Sequence, residues 1–315
     1  MRTLLFDTDL GDDVDDAAAL VCALLSPRCK LLAVTTVYGD TVARAQLARK
    51  IIRLCKMDIP VFAGSSQPLC GIFSSQGKKP PQCATLTEEE RKEPVSCVPA
   101  AKAILRLLRE NPDTVLVATG PLTNLAHCVQ LEPETMRKTE IMLMGGFTHG
   151  AVPEGNILAD PEAASLVFNC GARITVAPLE ATVNCRIPLA GMKRIFHSRN
   201  SPIAFLARLM EIWRDGVYAD ILQSWGKAPA EGFHFSPGMH DPMAMLCALY
   251  PECFLGKDAF LCVELRGDFT RGVTVDRRNP FTGESREKNC RLLIPGNEET
   301  AARLFLSVLF EEPHG

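Results

Sequence analysis

No stretch of this sequence approaches the ~20 consecutive apolar residues that a membrane-spanning helix needs, although 47% of its residues are hydrophobic. Neither sign of charge dominates: 34 basic and 37 acidic side chains leave a formal net charge of −3. That balance gives no electrostatic reason to expect nucleic acid or a membrane surface as partner. The first residues lack a basic segment, an apolar stretch and a cleavage site, because Asp7 and Asp9 arrive at once; no secretory signal is expected. The thirteen cysteines form no C-x-x-C pair, and several (Cys22, Cys55, Cys247, Cys262) lie inside apolar stretches. A reduced thiol there behaves as a small hydrophobe, so the expected setting is a reducing cytoplasm. There is no internal repeat and no low-complexity tail. What remains is a chain of 315 residues, 23% of them charged, with enough apolar material for a sizeable core. One domain spanning 1–315 is expected.

The feature that stands out is the opening. Leu4-Leu5-Phe6 ends at Asp7-Thr8-Asp9-Leu10-Gly11-Asp12-Asp13-Val14-Asp15-Asp16, which runs into Ala17-Ala18-Ala19-Leu20. A buried strand, a turn and a helix are the expected reading, the start of an α/β unit. Six carboxylates within ten residues repel one another if they converge, and desolvation makes this worse. Either the loop is splayed into water, or a hard cation such as calcium or magnesium holds it together. The loop lies at the carboxyl end of a first strand, where open α/β sheets bind ligands, and that favours a site. An EF-hand starting at Asp7 is excluded, since its sixth and twelfth positions hold Asp12 and Ala18 rather than Gly and Glu.

Further along, Leu31 to Val37 reads as a strand, Thr41 to Leu54 as a helix, and Val61 to Ala63 as a short strand. Residues 65–96 are rich in Gly, Ser, Pro and Lys without periodicity, as in a lid or a loop insert. A helix over Ala100 to Arg109 follows, then strands at Val115–Thr119, Ile141–Met144 and Ile174–Ala177. Helices are expected after Gly191. His240-Asp241-Pro242 opens an apolar helix to Leu249, with Pro in a favourable first-turn position. Leu261–Leu265 and Gly272–Val275 suggest a strand pair, and Thr300 to Phe310 a closing helix. Alternating strands and helices predict a doubly wound, mostly parallel open sheet covered on both faces. Asp7, Asp9, Asp40, Thr123, Asn124 and Gly145-Gly146 all follow strands, so one edge of that sheet gathers them.

An apolar strand followed by D-x-D also opens the haloacid-dehalogenase-type phosphatases, but no convincing downstream lysine or acidic motif follows. The longer pattern D-T-D-x-G with D-D-x-x-A-L resembles the inosine–uridine-preferring nucleoside hydrolase family. Gly120-Pro121-Leu122-Thr123-Asn124-Leu125-Ala126, Met144-Gly145-Gly146, Glu154-Gly155-Asn156 with Asp160-Pro161-Glu162-Ala163-Ala164, and His240-Asp241-Pro242 continue the likeness in order. The resemblance implies hydrolysis of the N-glycosidic bond of a ribonucleoside to base and ribose, with bound calcium, by a homodimer or homotetramer. It implies that Asp9, Asp16, Asp241 and the backbone carbonyl of Thr123 hold the metal. Asp15, Glu154 and Asn156 would bind the sugar with Met144 against it, Asp40 would occupy the position of the usual sugar-binding Asn, and Asp9 would deprotonate the water. His240, titrating near neutrality, would protonate the departing base.

Three departures bear on these expectations. Three residues separate Gly11 from Asp15-Asp16 where the best-known members have one, so Asp13 competes for the metal. Asp40 replaces the usual Asn. The H-G motif that usually follows the third strand is absent from 65–96. A relative that binds a nucleoside without turning it over therefore stands as the non-enzymatic alternative. Trp213 and Trp225 are candidates for stacking on a base.

Overall fold

A computed structural model of the chain describes residues 1–71, 79–228, 230–278 and 287–310. Its first half alternates β1 (Arg2–Thr8), α1 (Asp15–Leu25), β2 (Cys29–Thr36), α2 (Thr41–Leu54) and β3 (Val61–Ala63). After α3 (Glu88–Lys92) and α4 (Ala100–Glu110) come β4 (Val115–Ala118), α5 (Thr123–Leu131), α6 (Pro133–Lys138) and β5 (Glu140–Met144). Next are α7 (Gly155–Ala159), α8 (Pro161–Phe168), β6 (Arg173–Ala177) and α9 (Leu179–Thr182). A helical stretch follows: α10 (Leu189–Phe196), α11 (Ser201–Trp213), α12 (Ala219–Ser224) and α13 (His240–Leu249). The chain closes with β7 (Gly256–Ala259), β8 (Leu261–Val263), β9 (Thr274–Asp276), β10 (Cys290–Leu293) and α14 (Glu298–Phe310).

Eight strands form one sheet in the order β3-β2-β1-β4-β5-β6-β10-β7, and only β7 runs antiparallel to its neighbour. The expected doubly wound, mostly parallel architecture is therefore present, with β8 and β9 pairing as a separate hairpin. The chain winds outward from β1 to β3 and then restarts on the other side at β4. The gap between the carboxyl ends of β1 and β4 is thus the point where strand order reverses, and such points open a crevice. Asp7 pairs in register with Ala118, which sets Asp9 and Thr119 at the lip of that crevice.

One wall of the crevice is core. Helix α1 is buried from Asp15 to Leu24, and its alanines let it lie close along α13, which is buried from Asp241 to Leu249. Burying such side chains contributes roughly 1.5–3 kcal/mol for each large one, so the two helices fix each other firmly. Their first turns carry Asp15-Asp16 and His240-Asp241.

Within the 65–96 stretch, residues 72–78 lie outside the described residues, so the lid expectation is open there. The part that follows is docked. Cys83 and Leu86 join the core, and α3 carries a capping box of Thr87 and Glu90. Lys50 of α2 donates to the Thr85 carbonyl and Glu90, while Gln46 donates to the Arg91 and Glu93 carbonyls.

Candidate active site

A cleft of about 250 Å³ at the strand-order reversal is lined by Asp9, Asp12, Asp13, Asp15, Asp16, Thr119, Met144, Glu154, Gly155, Asn156, Leu179, His240 and Asp241. A larger hollow of about 500 Å³ at the start of α4 contains none of these carboxylates. Asp15, Asp16 and Asp241, all buried, bring one carboxylate oxygen each within 4.8 Å of one another. Asp16 accepts hydrogen bonds from the Thr8 and Thr119 hydroxyls. Asp9 reaches the cleft past Gly120: a Cβ there would come 2.8 Å from Asp9 Oδ1, so the glycine leaves the carboxylate its space.

The electrostatics are those of a site built for a cation. Burial first, and then mutual repulsion, hold Asp9, Asp15 and Asp241 well above the usual carboxylate range. Asp16 is pushed up to about 6, burial again the main cause, with the two threonine hydroxyls opposing it. Buried carboxylates without a counter-charge are costly, and an all-oxygen donor set matches a hard divalent ion. The residues present fit a metal of that kind.

On the other side of the cleft, Glu154 caps α7 and accepts from the backbone N–H groups of Gly146, Asn156 and Ile157. Asn156 Nδ2 donates to the Thr119 carbonyl at 2.7 Å and to the Met144 carbonyl at 3.3 Å. These bonds tie the ends of β4 and β5 to the wall that Met144 helps to line. His240 Nδ1 lies 2.8 Å from the Thr182 hydroxyl. Its ring fills the space beside Gly238, where Arg186 Nη1 also approaches. Burial and then the Arg186 charge push His240 down to about 4, so it is neutral at neutral pH, contrary to the expectation of titration near neutrality.

Of the residues expected from the sequence, Asp9, Asp15, Asp16, Met144, Glu154, Asn156, His240 and Asp241 gather in the cleft. Asp13 lines it too, but its carboxylate accepts from the N–H of Val14 at 2.6 Å and is not one of the converging trio. Thr123 does not line the cleft: its hydroxyl donates to buried Asp160 at 2.6 Å. Thr119, four positions earlier, lines it instead. The available signal was position, since Thr119 directly follows β4 as Asp9 follows β1. Asp40 does not line the cleft either; it caps α2 by accepting from Ala43 N–H. Trp213 is buried against Tyr218, with ring centroids 4.7 Å apart, and Trp225 is exposed. Neither lines the cleft.

The division of labour in the acidic loop is testable. Asp16→Asn is expected to cut calcium affinity, Asp15→Asn to impair turnover most at saturating calcium, and Asp13→Asn to do neither strongly. A calcium titration in which Asp13→Asn alone loses affinity would reverse that assignment.

Known proteins identify the family. The family model described as inosine-uridine preferring nucleoside hydrolase matches residues 4–302. The pyrimidine-specific ribonucleoside hydrolase RihA of Enterobacter sp. (strain 638) is 35% identical over 311 residues, covering 92% of each chain. The inosine-uridine preferring nucleoside hydrolase of Leishmania major is 32% identical over 315 residues, covering 93% of this chain and 92% of its own. Among solved structures, a plant nucleoside hydrolase superposes with a TM-score of 0.82 at 23% identity over 98% of both chains, a likeness of fold. With a family match over nearly its whole length and relatives above 30% identity covering more than nine-tenths of it, the chain belongs to the inosine–uridine preferring nucleoside hydrolases, enzymes that cleave the N-glycosidic bond of ribonucleosides.

Proposed function

We propose that this chain hydrolyses ribonucleosides to base and ribose with calcium as its metal, and that Asp9, Asp16, Asp241 and a main-chain carbonyl at the β4 end hold the ion. The observation that carries the reading is the buried pair Asp16 and Asp241, converging with Asp15, in a cleft that Asp9, Glu154 and Asn156 also line. Thr119 is better placed than Thr123 to supply the carbonyl, because its main chain already turns into the cleft toward Asn156. Calcium, when bound, supplies a grip on the ribose hydroxyls and a polarised water.

The chain's own groups do the rest. Asp9 takes the proton from the attacking water, a role suited to a carboxylate that burial holds above the usual carboxylate range. Asp15, Glu154 and Asn156 hydrogen-bond the ribose, and Met144 packs against it. The carboxylates around the sugar favour the positive charge that develops as the glycosidic bond breaks. His240 works as a neutral donor in the tautomer that carries its hydrogen on Nε2, in which Nδ1 accepts from the Thr182 hydroxyl 2.8 Å away. Arg186 beside it favours the negative charge that the base takes on. Asp40, spent on capping α2, leaves the sugar one contact fewer.

The likeness to pyrimidine-specific and inosine-uridine preferring relatives makes uridine, cytidine and inosine the first substrates to test. Release of reducing sugar from a nucleoside panel is the experiment. Ribose is expected from at least one of the three; phosphate release from phosphorylated compounds alone would favour the phosphatase, and saturable binding without ribose would favour the non-catalytic relative. A homodimer or homotetramer in the cytoplasm completes the proposal. No helix among the described residues is long and apolar enough to cross a membrane.

A further inference from the structure

The acidic loop has two more residues between Gly11 and Asp15 than the best-known members carry, and those residues add charge rather than neutralise it. Its main chain is nevertheless held at every step from outside. Arg44, in the first turns of α2, is only 2% exposed. Its Nη1 donates to the carbonyls of Asp9 and Leu10, its Nη2 to Asp12 Oδ2 at 2.6 Å, and its Nε to the Tyr38 carbonyl at 2.7 Å. Gln82 continues the row: its N–H donates to the Gly11 carbonyl at 3.1 Å and its Nε2 to the Asp13 carbonyl at 2.7 Å. Gly11, with φ +128°, is confined between them, since a Cβ there would come 2.7 Å from Pro80 and 3.5 Å from Arg44 Nη1.

The consequence is directional. With the carbonyls of 9, 10, 11 and 13 engaged on the outer side, Asp9, Asp15 and Asp16 are left to face inward. The geometry points to Arg44 as a positioning residue that holds this longer loop in its metal-accepting shape before a cation arrives. A planar fork that spans carbonyls from two loops is a task lysine cannot perform. The opposite role, that of a mere counter-charge, is also physically possible for a cation so close to carboxylates, and the two differ in sign. A counter-charge competes with the metal, so its removal would tighten metal binding. A template prepays the ordering of the loop, so its removal weakens binding.

The inference rests on the metal reading proposed above. Its test is calorimetric titration of calcium into metal-stripped, folded wild type, Arg44→Met and Arg44→Lys, with circular dichroism confirming the fold. Wild type is expected to bind, and Arg44→Met to bind about 10- to 100-fold more weakly, as when outer-shell support of a metal site is lost. Arg44→Lys is expected to lose affinity as well, because it keeps the charge but not the fork; it serves alone if Arg44→Met does not fold. Unchanged or tighter calcium binding in the variants would overturn the role of Arg44 while leaving the metal site standing. Absence of binding by wild type would instead remove the metal reading itself.

Discussion

Calcium-stripped protein is expected to hydrolyse no nucleoside, and calcium is expected to restore both activity and thermal stability. A ligand at a thousandfold excess over its Kd stabilises the native state by about 4 kcal/mol, or roughly 8 °C for a domain of this size class. Asp241→Asn removes one member of the buried trio and is expected to cost more than the ~10- to 100-fold that outer-shell changes do. The pH dependence of the stripped protein has a definite sign. Asp16 titrates at about 6 and Asp7 at about 7, both raised mainly by burial. Carboxylates with raised folded-state pKa values stabilise the fold when protonated, and that contribution is lost as pH rises through 6 and 7. The stripped protein should therefore melt higher at pH 5 than at pH 8, and calcium should flatten or reverse the trend. Full activity in rigorously calcium-free buffer would sink the metal assignment.

His240→Ala is expected to lose about 10²- to 10³-fold on natural nucleosides, the range for removing one donor aimed at developing negative charge. A riboside whose leaving group is nitrophenolate needs little such help, so the same variant should be nearly unaffected on it. Asp9→Asn should damage both substrates, because each needs an activated water. With His240 pushed down to about 4, its protonation should leave no inflection near pH 6.5 in the wild-type profile. Equal losses on both substrates would show that His240 positions sugar or metal instead.

The sheet was legible wherever residues carried a period. Helix α2 over Thr41–Leu54 and strand β3 over Val61–Ala63 were read to their observed ends. The sequence reading had no place for β7 and β10, each of four residues. Lys257 and Asp258 on edge strand β7 are exposed and break any apolar run. In the site, the carboxylates were legible because six of them in one loop demand an explanation. Thr119 and Thr123 are the same residue type four positions apart, and only the path of the chain into α5 decides which one meets the cleft. The state of His240 depends on Arg186, distant in sequence and brought alongside through the Arg186–Gly238 bridge. Nothing near position 240 announces that. Trp213 was a candidate for stacking by type alone, although a lone Trp on a helix is more often core, and core is what it is, spent on Tyr218 and Phe235.

Helix α13 is buried on every side and locked along α1, and close-packed interiors tolerate few changes of shape. The end of the cleft that carries Asp15, Asp16, His240 and Asp241 is built on that pair, so substitutions there disturb the core and the acidic cluster at once. Arg186 is exposed, and the loop at Gly150 to Val152 beyond Met144 is exposed as well. Drift is affordable only on that outer side. A lineage descended from this chain could reshape the exposed outer wall by small steps, while the acidic end of the cleft stays bound to the survival of the fold.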